Sequence, residues 1–422
     1  MVKTFRDLWT DQGGSTAVMF GLAIVPLIAL TGGAVDFSHR ADVRSRVQSA
    51  SDTAALAAAR VMQNGQITKE MTGDKVKKLK KTAIEQAESI FLASLAGVRE
   101  ASTQKPRIRI ENGTVTVSAD IDVNTSFLRI VGIGKLPAPG LAEVKIPDPT
   151  LVEIAMVLDY SGSMGDNDKY VRMTTAAQAF IGRVGADRAT TTKIGIVPFS
   201  EFVYASLPGG HIRDITKGDA KQPVTACLLN RDYPDSVAGN TPRLGDPASR
   251  WPQADAAGES CQAHAAGNLL VRELSSDFVG LSDALGSMGP VGLTNIALAA
   301  EMGWHVLSQN EPFETGRDPA DPIVRKVMIL LTDGVQTVNA MGPNGGPSTL
   351  DADGATAELC QNAAKEKVRI FTIAYDIEDE RVRDLLSGCA TIGGFHEAQG
   401  DDISEVFDTI YAQISESVWL SR

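Results

Sequence analysis

Val152–Met164 reads VEIAMVLDYSGSM, and this stretch decides the fold of the larger part of the chain. It begins as an apolar, partly β-branched run that stops at Asp159, and Ser161, Gly162 and Ser163 follow closely. Such a run is typical of a buried strand, and open α/β sheets bind ligands at the carboxyl ends of their strands. One carboxylate and two hydroxyls at that edge suit Mg²⁺, Mn²⁺ or Ca²⁺. Taken alone, the same residues also fit a helix N-cap.

From Val152 onward, apolar runs alternate with amphipathic segments. The predicted strands lie at 154–158, 193–199, 325–331, 368–374 and 394–397, and the predicted helices at 169–184, 295–307, 355–367, 380–386 and 403–418. Regular alternation implies right-handed βαβ units, so the fold class is α/β with a doubly wound, mostly parallel, Rossmann-like sheet. Residues 201–207 are expected to return antiparallel as an edge strand.

Two further polar positions fall at predicted strand ends or helix starts. Asp333 closes the strand RKVMILL within the sequence LTDG, and Thr294 opens a helix after Gly292 and Leu293. With the first loop, this gives two carboxylates and three hydroxyls from three separated loops. Catalysis would need a base or nucleophile with an orienting partner, and the five histidines show no triad or metal spacing. The pattern therefore predicts a metal-binding site and no enzyme.

The charge of the 422-residue chain is unevenly distributed. The net charge is −12, made up of +4 over residues 1–150 and −16 over residues 151–422. The length suggests about two to three domains. A C-terminal part this acidic is a poor binder of nucleic acid, so we expect no nucleic-acid partner. Divalent cations suit such a domain, although plain solvation also accounts for acidity.

The chain has four cysteines, Cys227, Cys261, Cys360 and Cys389, and none forms a C-x-x-C pair. A zinc ribbon or a thioredoxin motif is therefore unsupported. An even number in an exported chain fits two disulfides, and adjacency in sequence favours Cys227–Cys261 and Cys360–Cys389. Four buried free thiols in a cytosolic protein are the alternative.

Ala17–Val35 is an uncharged apolar run, AVMFGLAIVPLIALTGGAV, about as long as a membrane-spanning helix. We predict a transmembrane anchor over 13–35 with a cytoplasmic tail at 1–12. A cleaved signal peptide is the alternative, because Gly32–Ala34 offers small residues. Basic residues lie on both sides of the run and do not set its orientation, but the cysteines favour a C-terminal part outside the cytoplasm.

Residues 36–150 are predicted to form a stalk of helices and a small β region. The elements are helices at 42–62 and 68–95 and strands at 107–111 and 114–123. Asn112-Gly113 between two alternating strands is a strong hairpin signal. Pro147–Pro149 is typical of a linker to the next domain.

Four stretches of this N-terminal part resemble the TadE/TadG-like proteins of bacterial tight-adherence (Flp) pilus assembly. They are STAVMFGLAIVPL at 15–27, AVDFS at 34–38, QSASDTAALAAA at 48–59 and FLRIVG at 127–132. The resemblance implies a membrane protein of that pilus system. Pseudopilins of the system carry a glutamate near the start of the apolar segment. The corresponding position here is near Met19, which favours the retained, TadG-like type.

The C-terminal motifs, taken in order, resemble the metal-ion-dependent adhesion site (MIDAS) of von Willebrand factor type A domains. The order is Asp-x-Ser-x-Ser after a strand, Thr before a helix and Thr-Asp-Gly after a strand. The resemblance implies that Mg²⁺, or Mn²⁺ or Ca²⁺, is held directly or through water by Asp159, Ser161, Ser163, Thr294 and Asp333. It also implies that an acidic side chain of a partner protein completes the site. The family usually has Gly-Gly-Thr where this chain has Gly292-Leu293-Thr294.

A Pro/Gly/Asp-rich segment at about 208–268 has little periodicity and contains Cys227 and Cys261. We interpret it as an insertion in a type A domain that covers 151–422. It is expected near the metal face, where it would shape partner selection, and a variable surface insertion is the alternative.

Together, these features predict a single-pass protein of the bacterial inner membrane whose C-terminal domain faces the periplasm or exterior. The domain would bind a protein partner through its metal, with pilus assembly components as the expected partners in Flp pilus biogenesis or adhesion. An envelope chaperone or signalling scaffold is the first alternative, and a metal-dependent hydrolase is the second.

Overall fold

A computed structural model of the chain describes residues 13–65, 73–98, 105–146, 150–213 and 220–420. The predicted cytoplasmic tail at 1–12, the start of the second helix at 68–72 and the linker at 147–149 lie outside these residues. The chain divides into two compact units, Met1–Pro149 and Thr150–Arg422.

The first unit begins with α1, a continuous helix over Gly13–Asn64 that contains Pro26. Its N-terminal part exposes large apolar side chains, with Leu22 73% and Leu30 75% exposed. Among the described helices, α1 is the one that is long and apolar enough to cross a membrane, over Val18–Gln63. The helix predicted at 42–62 lies within α1 and continues its apolar N-terminal part.

The C-terminal half of α1 builds the core of the first unit. Val47, Ala54 and Ala58 are fully buried against Phe91 of α2 (Gly73–Ser94) and against a small sheet. Because alanine side chains are small, the two helices approach closely along this face. The alanine-rich sequence therefore specifies helix packing.

The small sheet contains the predicted hairpin. Strands β1 (Arg107–Glu111), β2 (Thr114–Ala119) and β5 (Gly140–Lys145) form an antiparallel sheet in the order β1-β2-β5, and β3 (Asp122–Asn124) pairs with β4 (Lys135–Pro137). Asn112 and Gly113 have φ angles of +50° and +72°, as a two-residue hairpin with two left-handed residues requires. The strand predicted at 114–123 is interrupted after Ala119 and forms parts of two sheets.

The second unit is built on a six-stranded sheet. The strands of this unit are β6 (Leu151–Asp159), β7 (Thr192–Phe199), β8 (Val203–Pro208), β9 (Pro223–Leu228), β10 (Arg272–Ser275), β11 (Val324–Thr332), β12 (Val368–Tyr375) and β13 (Phe395–Ala398). The large sheet has the order β10-β7-β6-β11-β12-β13, and all neighbouring pairs are parallel except β10 with β7. The prediction of a mostly parallel, doubly wound sheet is confirmed.

Helices cover both faces of this sheet. They are α3 (Lys169–Arg188), α5 (Phe278–Gly286), α6 (Ile296–Leu307), α7 (Thr349–Lys365), α8 (Glu380–Cys389) and α9 (Ile403–Leu420), whereas α4 (Glu259–Ala266) belongs to the 208–268 segment. A hydrophobic core lies on each face of the sheet, and alternate residues of the central strand β6 pack into one core or the other. Met156 lies in one core with residues of α3, α5 and α9, and Val157 lies in the other with residues of α6, α7 and α8. Burial on both faces explains why residues 154–158 of β6 are all apolar.

The prediction that residues 201–207 form an antiparallel edge strand of the large sheet is wrong. Strand β8 pairs antiparallel with β9 in a separate two-stranded sheet, and β10 occupies the edge beside β7. The inward side chains Val203, Ala205 and Leu207 are fully buried in the core around α6, together with Trp251. Burial of this apolar face therefore directs β8 away from the sheet edge.

Candidate metal centre

Asp159 is the last residue of β6, and its side chain is fully buried at the carboxyl edge of the sheet. The backbone N–H of Ser161 donates to Oδ1 over 2.7 Å, and the Thr332 hydroxyl donates to Oδ2 over 2.6 Å. Thr332 ends β11, which is the parallel neighbour of β6. Two adjacent strand ends therefore fix the orientation of this carboxylate.

Asp333 follows Thr332 and brings a second carboxylate to the same edge. Its Oδ1 accepts a hydrogen bond of 2.6 Å from the Ser163 hydroxyl, which lies 3.1 Å from the Ser161 hydroxyl. The side chain of Asp333 has no exposed surface. The loops after β6 and β11 are thus joined by a chain of oxygen atoms.

The loop before α6 supplies the third hydroxyl. The carbonyl of Gly292 accepts from the Gly162 backbone N–H over 2.9 Å, so this loop is attached directly to the loop after β6. The backbone N–H of Thr294 donates to the Thr337 hydroxyl over 2.8 Å. Gly292 has a φ of +67°, which a β-carbon would strain, whereas Leu293 is 52% exposed. The exposed Leu293 therefore leaves the backbone of this loop intact.

Gly334 lies beside two of these hydroxyls. A β-carbon at Gly334 would lie in ordinary van der Waals contact with both, 3.6 Å from Ser163 Oγ and 3.9 Å from Thr294 Oγ1. The structure therefore brings the five predicted ligand residues to the same edge of the sheet. Among the described residues, no cluster of three or more His, Cys, Asp or Glu side chains is arranged to hold a metal. The donor set is oxygen alone, which fits a hard divalent cation.

The electrostatics of the site favour a bound cation. Burial, together with the nearby charge of Asp333, raises the pKa of Asp159 to about 7. The ammonium group of Lys169 donates to Asp333 Oδ2 over 2.9 Å. Partial burial lowers the pKa of Lys169, but the hydrogen bond to Asp333 and the charges of Asp333, Asp376 and Asp166 together outweigh this effect and leave the pKa above its ordinary value. The two carboxylates thus carry more negative charge than the one lysine balances, and this excess favours a cation at the site.

Four residues that hold the candidate site together were not predicted from the sequence. Thr332 and Lys169 bond the two carboxylates, while Thr337 and Gln336 bond the backbone around Thr294 and at the start of α6. Thr332 stands directly before Asp333, and its place at a strand end was a usable signal. Lys169 opens the predicted helix α3, but its contact with Asp333 spans 164 positions and needs the tertiary fold.

The 208–268 segment is more structured than its composition indicates. It contains part of β8, all of β9 and α4, and a disulfide that joins Cys227 to Cys261. A second disulfide joins Cys360 to Cys389, so both pairs are the ones that adjacency in sequence favours.

Buried polar contacts attach this segment to α6, the helix that follows Thr294. The Arg231 guanidinium is buried, forms an ion pair with Glu301 of α6 and stacks 4.6 Å over the Trp251 ring. Asn295 Nδ2 donates to Asn230 Oδ1 over 2.8 Å, directly beside the Thr294 loop. The segment therefore contacts the loop that carries the third hydroxyl.

A buried Ser–His pair lies near the site but lacks the features of a catalytic pair. The Ser200 hydroxyl contacts His264 Nε2, and both residues are completely buried. The other ring nitrogen of His264 contacts the Ser260 carbonyl oxygen over 2.8 Å, where a triad would have a carboxylate. This arrangement is consistent with a structural histidine.

Comparison with solved structures gives several similar chains. The pilus adhesin SpaC from Lactobacillus rhamnosus GG, in its open conformation, is 16% identical with a TM-score of 0.40; the match covers 74% of this chain and 34% of the adhesin. The vWF domain of the type V pili tip protein Mfa5 from Porphyromonas gingivalis is 13% identical with a TM-score of 0.39; the match covers 64% of this chain and 96% of that domain. This chain thus spans about a third of the length of SpaC.

A third similar structure is proximal thread matrix protein 1 from the mussel byssus, in which zinc occupies a MIDAS motif. It is 16% identical with a TM-score of 0.35, and the match covers 63% of this chain and 46% of the mussel protein. No curated protein matches the chain. Residues 14–61 match the family described as putative Flp pilus-assembly TadE/G-like. The N-terminal region of this chain is therefore TadE/TadG-like.

Proposed function

We propose that residues 151–422 form a von Willebrand factor type A domain that binds a protein partner through a divalent cation, in the assembly or adhesion of an Flp-type pilus. The convergence of Asp159 and Asp333 with three hydroxyls at one sheet edge carries this proposal. The TadE/TadG-like region at 14–61 supports the pilus setting.

The proposed ligands are Asp159, Ser161, Ser163, Thr294 and Asp333, directly or through water. Two carboxylates balance the charge of Mg²⁺, Mn²⁺ or Ca²⁺, and the hydroxyls add neutral oxygen donors. Water molecules would complete the coordination in the absence of a partner. An Asp or Glu side chain of the partner would replace one of them, because a charged carboxylate binds a hard divalent cation more strongly than a water molecule does.

The proposed location is the bacterial inner membrane, with α1 as a single-pass anchor. The second unit would face the periplasm or exterior, because its two disulfides are stable in an oxidising compartment. The partner is then a pilus component or another envelope protein with an accessible acidic side chain. The segment around Arg231 and Asn230 lies beside α6 and would contribute to the choice of partner.

Recovery of pilus components with the full-length protein tests this proposal. The tagged protein is purified from its own host in Mg²⁺ or in EDTA, as wild type and as Asp159→Asn. We expect pilus components to be recovered with the wild type in Mg²⁺, and to be lost in EDTA and in the variant.

The matched control is Asp353→Asn, because Asp353 is a half-buried carboxylate of α7 that pairs with Arg381 outside the site. This control should recover the same proteins as the wild type. If EDTA and Asp159→Asn both leave the recovery of pilus components unchanged, the result would instead support a metal-independent scaffold.

A further inference from the structure

The first unit exposes a cluster of large apolar side chains that its own core leaves uncovered. Phe127, Ile130, Val131 and Ile133 are 38%, 60%, 46% and 46% exposed. All four lie in the loop at 126–134, between β3 and β4, which contains a short 3₁₀ helix. Single exposed apolar residues are ordinary, but four within seven positions form a patch that indicates an interaction surface.

This apolar loop is tied to α1 by one carboxylate. The oxygens of Asp36 accept hydrogen bonds from the backbone N–H groups of Ser126, Phe127 and Leu128, over 3.0, 2.9 and 2.8 Å. Asp36 itself is buried beneath the loop. Three charge-assisted bonds to consecutive residues hold the loop in one orientation on the helix.

Two glycines of α1 let the loop lie directly on the helix. A β-carbon at Gly32 would clash with the Phe127 side chain, and one at Gly33 would lie 3.2 Å from Leu128. The contact is therefore close and is confined to the turn around Gly32–Asp36. The position of the apolar loop along α1 is thereby defined.

That position is the C-terminal end of the apolar part of α1. From Val18 to Val35 the helix rises about 26 Å at 1.5 Å per residue, close to the ~30 Å of a bilayer core. Val35 is itself 57% exposed beside the loop. The exposed side chains of the loop thus lie beside the end of the apolar part of the helix.

Basic residues border the patch where the apolar surface ends. Arg129 and Lys135 are both exposed, and Arg40 donates to the Pro137 carbonyl one turn beyond Asp36. Cationic side chains next to apolar ones are typical of a surface that lies at the level of lipid headgroups.

We propose that the apolar loop is a lipid-binding element that inserts into the bilayer interface at the Asp36 end of the anchor. Phe127, Ile130, Val131 and Ile133 would contact the acyl–headgroup boundary, and Arg129 would contact lipid phosphates. A lipid surface is favoured over a protein partner because the patch lies beside the end of the apolar part of the helix. This inference rests on α1 spanning the membrane and is independent of the metal site.

Spin labelling of the full-length chain in phosphatidylethanolamine/phosphatidylglycerol nanodiscs tests the proposal. A nitroxide is attached at Ile130→Cys, and its collision rates with O₂ and with a water-soluble nickel chelate are measured. The native cysteines are all in disulfides, so the introduced thiol is labelled selectively. We expect the label to collide with O₂ and to be shielded from the chelate.

Leu141→Cys provides a matched control. Leu141 is also an apolar residue, 57% exposed, but its backbone bonds Gln48, which lies about 18 Å further along α1 than Asp36. This label should collide freely with the chelate. Chelate access at Ile130 equal to that at Leu141 would overturn the proposal, and so would shielding of Ile130 from both reagents, which would indicate burial under protein.

Discussion

The ammonium nitrogen of Lys169 lies 2.9 Å from Oδ2 of Asp333, inside the candidate metal centre. Lysine therefore supplies the positive charge that holds Asp333 in place when no metal is bound. The same charge repels an incoming cation.

We predict that Lys169→Met binds Mn²⁺ more tightly than the wild type does. Removal of the ammonium group leaves Asp333 and Asp159 without a counter-charge, so affinity should rise by roughly tenfold, the equivalent of one charge-assisted hydrogen bond. Calorimetric titration of Mn²⁺ into the full-length protein measures this change.

Lys365→Met is the control for this substitution, since Lys365 lies at the end of α7 and bonds Asn362. Its affinity for Mn²⁺ should equal that of the wild type. Weaker binding by Lys169→Met would show that the lysine supports the metal site instead of competing with the cation.

Metal affinity should also depend on pH in a range where an ordinary aspartate does not titrate. Burial and Asp333 raise the pKa of Asp159 to about 7, so the carboxyl is largely protonated at pH 6 and largely charged at pH 8. Because a cation must displace the proton, Mn²⁺ binding should weaken close to tenfold between pH 8 and pH 6. Titrations at the two pH values check this, and equal affinities would mean that Asp159 keeps an ordinary pKa.

The buried pair of Arg231 and Glu301 should be important for stability. Both side chains are almost fully buried, so Arg231→Met leaves the carboxylate of Glu301 without its partner. The expected cost is roughly 3–5 kcal/mol, whereas the double variant Arg231→Met/Glu301→Leu should cost less than the two single changes together. Urea unfolding followed by tryptophan fluorescence measures these free energies.

An exposed ion pair is the control for these substitutions at the buried pair. Arg383 and Glu397 are 38% and 57% exposed at 3.6 Å, so Arg383→Met should cost no more than about 1 kcal/mol. If Arg231→Met and Arg383→Met lower the free energy of unfolding equally, the buried charge of Arg231 does not hold the 208–268 segment to α6.

The sheet and the meeting of its loops at one edge were predictable because they depend on local sequence. A strand buried on both faces is mainly apolar, so the apolar runs at 154–158 in β6 and 327–331 in β11 ended visibly at Asp159 and Thr332. Parallel strands also place their carboxyl ends at one edge, which brought the loops of Asp159 and Asp333 together.

Other features depend on contacts between distant residues. The alternating pattern of β8 is the same whether the strand pairs with β7 or with β9, and burial of Val203 and Leu207 beside Trp251 decides between them. Strand β10 has only four residues and a polar sequence, which gives no strand signal. The bonds of Asp36 to the apolar loop span about ninety positions, so no local pattern shows them.

Stoichiometric titration of Mn²⁺ into the metal-free, full-length protein tests the metal centre most directly. The account predicts one tightly bound Mn²⁺ per chain in the wild type and in Asp353→Asn, and loss of this binding in both Asp159→Asn and Asp333→Asn. Binding of Mn²⁺ by Asp159→Asn and Asp333→Asn with wild-type affinity, or no binding by the wild type, would contradict it.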